Sequence, residues 1–232
     1  MPNKQSGFTL VEIAIVLVII GLLLGGVLKG QELINSAKVK NFASDIRNIS
    51  TFVYAYQDRF RALPGDDPRS ATNLPTAPAP ASSPAVCGGA ACLGNARING
   101  NWNSTTITDE TVLFWLQVRL AGLASGTTVL PPDATPGDAY YPRNADGGRI
   151  GVTGDAVFTG ASVWAANFFV CMSGVQGRFV RQLDTTLDDG NTSTGTVRVL
   201  GTAAGGELAT SGTFYTVVPA DDATLYTVCQ AN

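Results

Sequence analysis

An uncharged apolar run near the amino terminus constrains this chain more than any other feature. From Ile13 to Leu28 the sequence reads IAIVLVIIGLLLGGVL, without a polar side chain. Extended back to Phe8, the run is interrupted only by Thr9 and Glu12. As a helix it would be roughly 32 Å long, enough to cross the hydrocarbon core of a bilayer. It continues into KGQE without a small-residue cleavage site, which argues against an ordinary signal peptide. The sequence therefore predicts a membrane-spanning helix over residues 8–28.

A carboxylate inside an apolar span is costly in lipid and indicates a functional residue. Glu12 is that carboxylate. The chain begins with a short polar leader, MPNKQ, which is followed by Ser6 and Gly7 and then by the apolar run that contains Glu12. The run GFTLVE at residues 7–12 closely resembles the processing motif of type IV prepilins and type II secretion pseudopilins. The chain is therefore identified as a suspected member of that family.

This resemblance implies how the amino terminus is processed and used. A prepilin peptidase would cut after Gly7, which removes the leader at residues 1–7, and would then N-methylate Phe8. The resemblance also assigns Thr9 and Glu12 to filament assembly. In a dry helical bundle the Phe8 amine and the Glu12 carboxylate both need partners. A neighbouring subunit that places its amine beside Glu12 would set the register of the filament.

The helical pattern continues beyond the predicted span, over residues 29–63. Apolar residues recur at spacings of three and four, the period of one helix stripe: Phe42, Ile46, Ile49, Val53, Tyr56, Phe60 and Leu63. Pro64 and Gly65 then favour a helix end. The stripe predicts an amphipathic helix that covers a globular domain, and a coiled-coil seam is the alternative.

Residues 64–232 are expected to form the globular head. A Pro/Ala-rich loop occupies residues 75–85, and a short helix capped by Thr108 or Asp109 follows, with Phe114 and Trp115 in the core. Alternating and apolar runs predict strands at Arg149–Val152, Ser162–Met172, Thr196–Leu200, Thr213–Val218 and Leu225–Cys229. A second short helix is predicted over Gly177–Leu187. The fold class is α+β, and the resemblance implies the pilin fold, a long helix packed on an antiparallel sheet.

Four cysteines, Cys87, Cys92, Cys171 and Cys229, allow three disulfide pairings. Cys87 and Cys92 flank only GGAA and could close a local loop. Cys171 could then bind Cys229, and this second link resembles the carboxy-terminal disulfide loop of many pilins. A zinc site is disfavoured, because the chain has no histidine and no paired C-x2-C motif.

An acidic segment near residue 190 is a weak candidate for calcium. Asp184, Asp188, Asp189 and Asn191 offer several oxygen ligands around Gly190, as calcium prefers. The alternate-position spacing of known calcium loops is absent, so a solvated turn is expected and no cofactor is predicted. Asp66, Asp67 and Pro68 likewise predict a turn.

Composition excludes several classes of function. Without histidine the chain cannot form a Ser-His or Cys-His catalytic pair, and no other catalytic constellation is recognisable, so an enzyme is not expected. The net charge of −3 disfavours nucleic-acid binding through bulk charge. The resemblance implies a structural subunit of a type IV pilus or pilus-like filament. The alternatives are a type II secretion pseudopilin and a membrane-anchored binding module that does not polymerise.

The resemblance also implies partners and a location. The expected partners are other pilin or pseudopilin subunits, the prepilin peptidase and an inner-membrane assembly platform. Before assembly the chain would span the bacterial inner membrane once, with its leader in the cytoplasm and its head in the periplasm. After assembly it would lie in a surface pilus or a periplasmic pseudopilus.

Overall fold

The computed structural model describes residues 10–74, 93–130, 139–158, 164–206 and 209–232. The chain divides into two compact units, one up to Lys38 and one from Val39 onward. We call them the amino-terminal unit and the carboxy-terminal unit.

A single long helix, α1, runs over Leu10–Phe60. The apolar run and the amphipathic pattern are therefore one continuous element, as predicted. The helix ends three residues before the expected boundary at residue 63. Arg61 adopts a left-handed conformation, with φ of 55°, and its N–H donates to the carbonyl of Gln57 at 2.8 Å. This left-handed residue stops the helix before the chain reaches Pro64.

One stripe of α1 is buried within the carboxy-terminal unit. It comprises Val39, Phe42, Ala43, Ile46, Ile49, Val53 and Tyr56. Most of these side chains join a core that also contains residues of the sheet and of two shorter helices. The predicted stripe thus covers a globular domain. Its last two members, Phe60 and Leu63, are only half-buried.

The sheet has four antiparallel strands in the order β1-β2-β4-β3. The strands are β1, Ile150–Thr153; β2, Phe169–Gln176; β3, Val197–Leu200; and β4, Leu225–Ala231. The other helices among the described residues are α2, Ser70–Asn73; α3, Glu110–Leu120; and α4, Gly177–Leu187, with a 3-10 turn at Pro219–Asp221. The predicted α+β class, a long helix followed by an antiparallel sheet, is confirmed.

The central strand β2 lies further along the chain than the prediction of Ser162–Met172. Trp164 is buried before the strand begins, packed on Phe169 and Phe214 in a second apolar cluster. The apolar residue Trp164 is therefore part of a packed loop and not of the strand. Beyond Met172 the pairing with β4 continues through a bulge, where Gly174 has a positive φ of 66°.

The strand predicted at Thr213–Val218 is wrong. This segment lies beside β3 and shares one isolated bridge with it, between Leu200 and Phe214. Its later backbone N–H groups are taken by side chains: that of Val217 donates to the Thr192 hydroxyl at 2.9 Å, and that of Val218 to Asp221 at 3.0 Å. Side-chain acceptors therefore replace the strand ladder here.

The two short helices lie close to their predicted positions. Asp109 is the N-cap of α3, but its side chain accepts the Ser104 hydroxyl and does not cap the helix. Phe114 and Trp115 are buried in the main core, as expected. The bounds of α4, Gly177–Leu187, agree with the sequence prediction.

Candidate functional site

The amino-terminal unit presents a continuous apolar helical surface. Every residue from Leu10 to Leu28 is exposed, and Leu10 has 91% of its surface exposed. By length and composition α1 qualifies as a membrane span. An apolar surface of this extent marks a segment that meets lipid or another protein.

Glu12 lies in the first turn of α1 and is exposed on this apolar surface. Negative charge in a first turn also suits the positive end of the helix dipole. The other predicted processing and assembly residues, Gly7, Phe8 and Thr9, lie outside the described residues. Of the four predicted residues, the structure therefore describes Glu12 alone, and it places Glu12 on α1.

Comparison with protein families gives a match at this end of the chain. The prokaryotic N-terminal methylation motif matches residues 2–28. Searches of curated proteins and of solved structures found no match. The motif is the type IV pilin and pseudopilin signature. Together with the exposed apolar helix, it supports a pilin-like or pseudopilin precursor that is anchored in a membrane.

A disulfide joins the two central strands of the sheet. Cys171 on β2 and Cys229 on β4 are directly paired in register, and both are fully buried. This is the pairing that the resemblance implied for these two residues. It crosslinks β4 three residues before Asn232, with 58 residues of sequence separation between the cysteines. The other two cysteines, Cys87 and Cys92, and the Pro/Ala-rich loop at 75–85 lie outside the described residues.

Three of the four calcium candidates come together at the end of α4. One carboxylate oxygen each from Asp184, Asp188 and Asp189 lies within 4.8 Å of the others. The side-chain oxygen of Asn191 accepts hydrogen bonds from the N–H and the hydroxyl of Ser193. The expected solvated turn is wrong for Asp184, which projects from α4 and has 0% of its surface exposed.

The two ends of this acidic cluster differ in their electrostatics. Burial, and after it the charges of Asp188 and Asp189, raise the pKa of Asp184 to about 6, against the opposing effect of the Gly190 N–H. The Thr194 hydroxyl bond lowers the pKa of the exposed Asp189. Thus the charged form of the buried Asp184 is disfavoured, while the charged form of the exposed Asp189 is favoured.

Two buried acids, Asp66 and Glu110, were not recognised as such from the sequence. Asp66, expected in a simple turn, is buried and accepts backbone N–H groups from each of the residues 94–97. Its neighbour Asp67 accepts the Tyr56 hydroxyl at 2.9 Å. The Asp66 bonds tie the segment that follows α1 to residues 28 to 31 positions further along the chain, and the Asp67 bond ties it back to α1. No local sequence pattern predicts such distant partners.

Glu110, in the first turn of α3, is the second of these buried acids, and its carboxylate interacts electrostatically with that of Asp66. It is 2% exposed, and one carboxylate oxygen accepts the Asn99 N–H at 2.7 Å. The other oxygen has no hydrogen-bond partner among the described residues. Burial, with a smaller contribution from the charges of Asp66, Asp155 and Asp109, raises the pKa of Glu110 to about 7, against the opposing effect of the Asn99 N–H.

Proposed function

We propose that this chain is a prepilin, the precursor of a structural subunit that assembles through its amino-terminal helix into a type IV pilus or pilus-like filament. The methylation motif at residues 2–28 carries this proposal. The exposed apolar surface from Leu10 to Leu28 supports it, because that surface needs lipid before assembly and neighbouring helices afterwards.

The proposed assembly chemistry uses two charges at one end of an apolar helix. Cleavage after Gly7 would leave a methylated, positively charged amine on Phe8. Glu12 lies one helical turn further along and offers the complementary carboxylate. In a bundle with little water, a subunit out of register would leave both charges without partners, which costs several kcal/mol per ion. The pair would therefore select one axial offset between subunits.

The partners and location follow from the same proposal. A prepilin peptidase would process the chain, and an inner-membrane platform would add it to the filament. The leader would face the cytoplasm and the carboxy-terminal unit the periplasm. We propose a structural rather than an enzymatic role, since the methylation motif is that of filament subunits and the chain has no histidine for a Ser-His or Cys-His pair.

A type II secretion pseudopilin is the second candidate, because the same motif is its signature. The two candidates differ in where the filament ends. Shearing of cells, electron microscopy of released filaments and mass spectrometry of their subunits would separate them. A surface filament that contains this chain indicates a pilus, whereas a filament confined to the periplasm indicates a pseudopilus.

Intact-mass measurement of the protein purified from its own membrane tests processing. We expect a chain that begins at Phe8 and carries one added methyl group. Gly7→Leu should leave the leader attached, because a bulky residue replaces the glycine at the cut. Ser6→Ala, one residue away, is the matched control and should be cut normally. An uncut terminus in the unmodified protein would contradict the proposal.

A further inference from the structure

A groove of about 660 Å³ lies at the carboxy-terminal end of α1, within the carboxy-terminal unit. Its described lining residues come from the last two turns of α1 and from the segments 61–69, 94–96 and 167–168. The volume lies within the range of sites for small ligands, roughly 300–1,000 Å³. The proposed assembly chemistry acts at the opposite end of α1, so this groove is free for a separate role.

The backbone is strained at two residues of this groove. Among the described residues, Arg61 and Ala96 are the only ones other than glycine with a positive φ, at 55° and 61°, and both line the groove. Residues with a side chain rarely adopt this conformation, and helix ends usually place glycine there. Such strain is found mainly at functional sites. An arginine at position 61 therefore suggests that its side chain has a use that outweighs the strain.

Two guanidinium groups belong to the groove. Arg69 donates to the carbonyl of Phe60 at 3.3 Å, which places its guanidinium beside the backbone of Arg61. The Arg61 guanidinium pairs with Asp58 at 3.8 Å, and the side chains of this pair are 79% and 85% exposed. A pair this long and this exposed contributes little to stability. Arg61 can therefore exchange Asp58 for an incoming anion at small cost.

The acid that lines the groove does not compete for these cations. Asp66 is the only acid among the described lining residues, and it is buried. Its carboxylate accepts backbone N–H groups from residues 94–97. Burial raises the pKa of Asp66, against the opposing effect of those N–H groups. The charge of the groove is therefore complementary to an anionic ligand.

An aromatic surface and two neutral amides complete the groove. Tyr54 is 57% exposed, and its ring meets that of the buried Phe168 edge to face, with the ring centroids 6.4 Å apart. Gln57 and Asn167 also line the groove, and their amides can both donate and accept hydrogen bonds. An exposed ring beside cations and amides suits a ligand that carries rings, hydroxyl groups and carboxylates.

We propose that this groove binds a short stretch of an acidic polysaccharide built of uronate rings. A uronate carboxylate can accept two parallel N–H bonds from one guanidinium, as at Arg61. A sugar ring would lie on Tyr54, and its hydroxyl groups would bond the amides. An acidic peptide is the alternative occupant. Peptides commonly add to a strand edge or enter an apolar groove, and no strand supplies a described lining residue here.

Isothermal titration calorimetry of the full chain in detergent tests this proposal, with the trimer of galacturonic acid as the probe. The fully methyl-esterified trimer keeps the rings without the charge, and triglutamate keeps three carboxylates without sugar rings. The charged trimer should bind at one site, about tenfold more tightly than either control, as expected for one charge-assisted hydrogen bond. Because the chain has a net charge of −3, general attraction would not hold an acidic sugar.

Arg61→Gly separates ligand binding from a structural role. Glycine adopts a φ of 55° without strain, so this variant should keep or raise the thermal midpoint while its affinity for the charged trimer falls about tenfold. Arg47→Gln removes an exposed cation of α1 outside the groove and should bind as the unmodified chain does.

Three results would overturn the proposal. They are no binding of the charged trimer, equal binding of the esterified trimer or of triglutamate, and unchanged affinity in Arg61→Gly. Equal binding of triglutamate would assign the groove to an acidic peptide instead. The assay needs no filament, so its failure would leave the proposed function untouched.

Discussion

Glu110→Gln should stabilise the fold in a way that depends on pH. Glu110 is buried, one carboxylate oxygen lacks a hydrogen-bond partner among the described residues, and the carboxylates of Asp66, Asp155 and Asp109 act on it. Glutamine keeps the shape of the side chain and an oxygen for the Asn99 N–H, but it cannot ionise. The substitution therefore removes the buried charge, and it leaves an uncharged amide in place of the unpaired carboxylate oxygen.

The size and sign of the effect follow from the pKa of this group. The ordinary pKa is 4.5, and burial raises it to about 7 in the folded protein. Because the folded state holds the proton more tightly than the unfolded state, stability falls as pH rises from about 4.5 to about 7. Each unit of pKa difference is worth about 1.4 kcal/mol, so ionised Glu110 costs the fold about 3 kcal/mol at pH 8.

Urea unfolding of the full chain in detergent at pH 4.5 and pH 8 measures this cost. The unpaired amide of glutamine brings its own penalty, but that penalty is the same at both pH values. The change in unfolding free energy caused by Glu110→Gln should therefore be about 3 kcal/mol more favourable at pH 8 than at pH 4.5.

Asp58→Asn is the control for this measurement. Asp58 is exposed in a surface ion pair with Arg61, so its removal should change stability by less than about 1 kcal/mol at either pH. Equal effects of Glu110→Gln at the two pH values would refute the reasoning, as would a larger gain in acid.

Three further substitutions test other parts of the chain. Cys229→Ser should lower the unfolding free energy by about 2–5 kcal/mol in thermal scans, because it opens a crosslink between residues 58 apart, whereas Cys92→Ser should cost less; equal losses would contradict this. Glu12→Ala should insert and be processed, as shown by intact mass, yet electron microscopy should show few filaments; normal filament numbers would remove Glu12 as the register residue. Gly151→Ala on β1 should destabilise by about 1–3 kcal/mol or more, because its Cβ would lie 1.9 Å from the Trp102 carbonyl oxygen; an unchanged urea midpoint would show that this loop yields freely.

Local patterns predicted most of the elements of this fold. The long helix follows from one apolar run and one stripe of period 3.5, both of which act through neighbours three and four residues away. The bounds of α4 were predicted to the residue. Prediction failed where side chains took over backbone hydrogen bonds. Thr213–Val218 looks like a strand, but Thr192, from 25 residues away, and Asp221, from three residues away, accept the N–H groups that a ladder needs.

The same distinction applies to the candidate sites. The methylation motif is contiguous, so the sequence by itself determined it, together with the membrane span that it introduces. Only the tertiary structure decided that Asp66 and Glu110 are buried near each other, and that Asp184 turns into the protein while Asp189 faces solvent. The burial of a side chain depends on segments that are distant in the sequence and pack over it in the fold. The sequence therefore shows that an acidic residue is present, but the packed fold determines its desolvation and its partners.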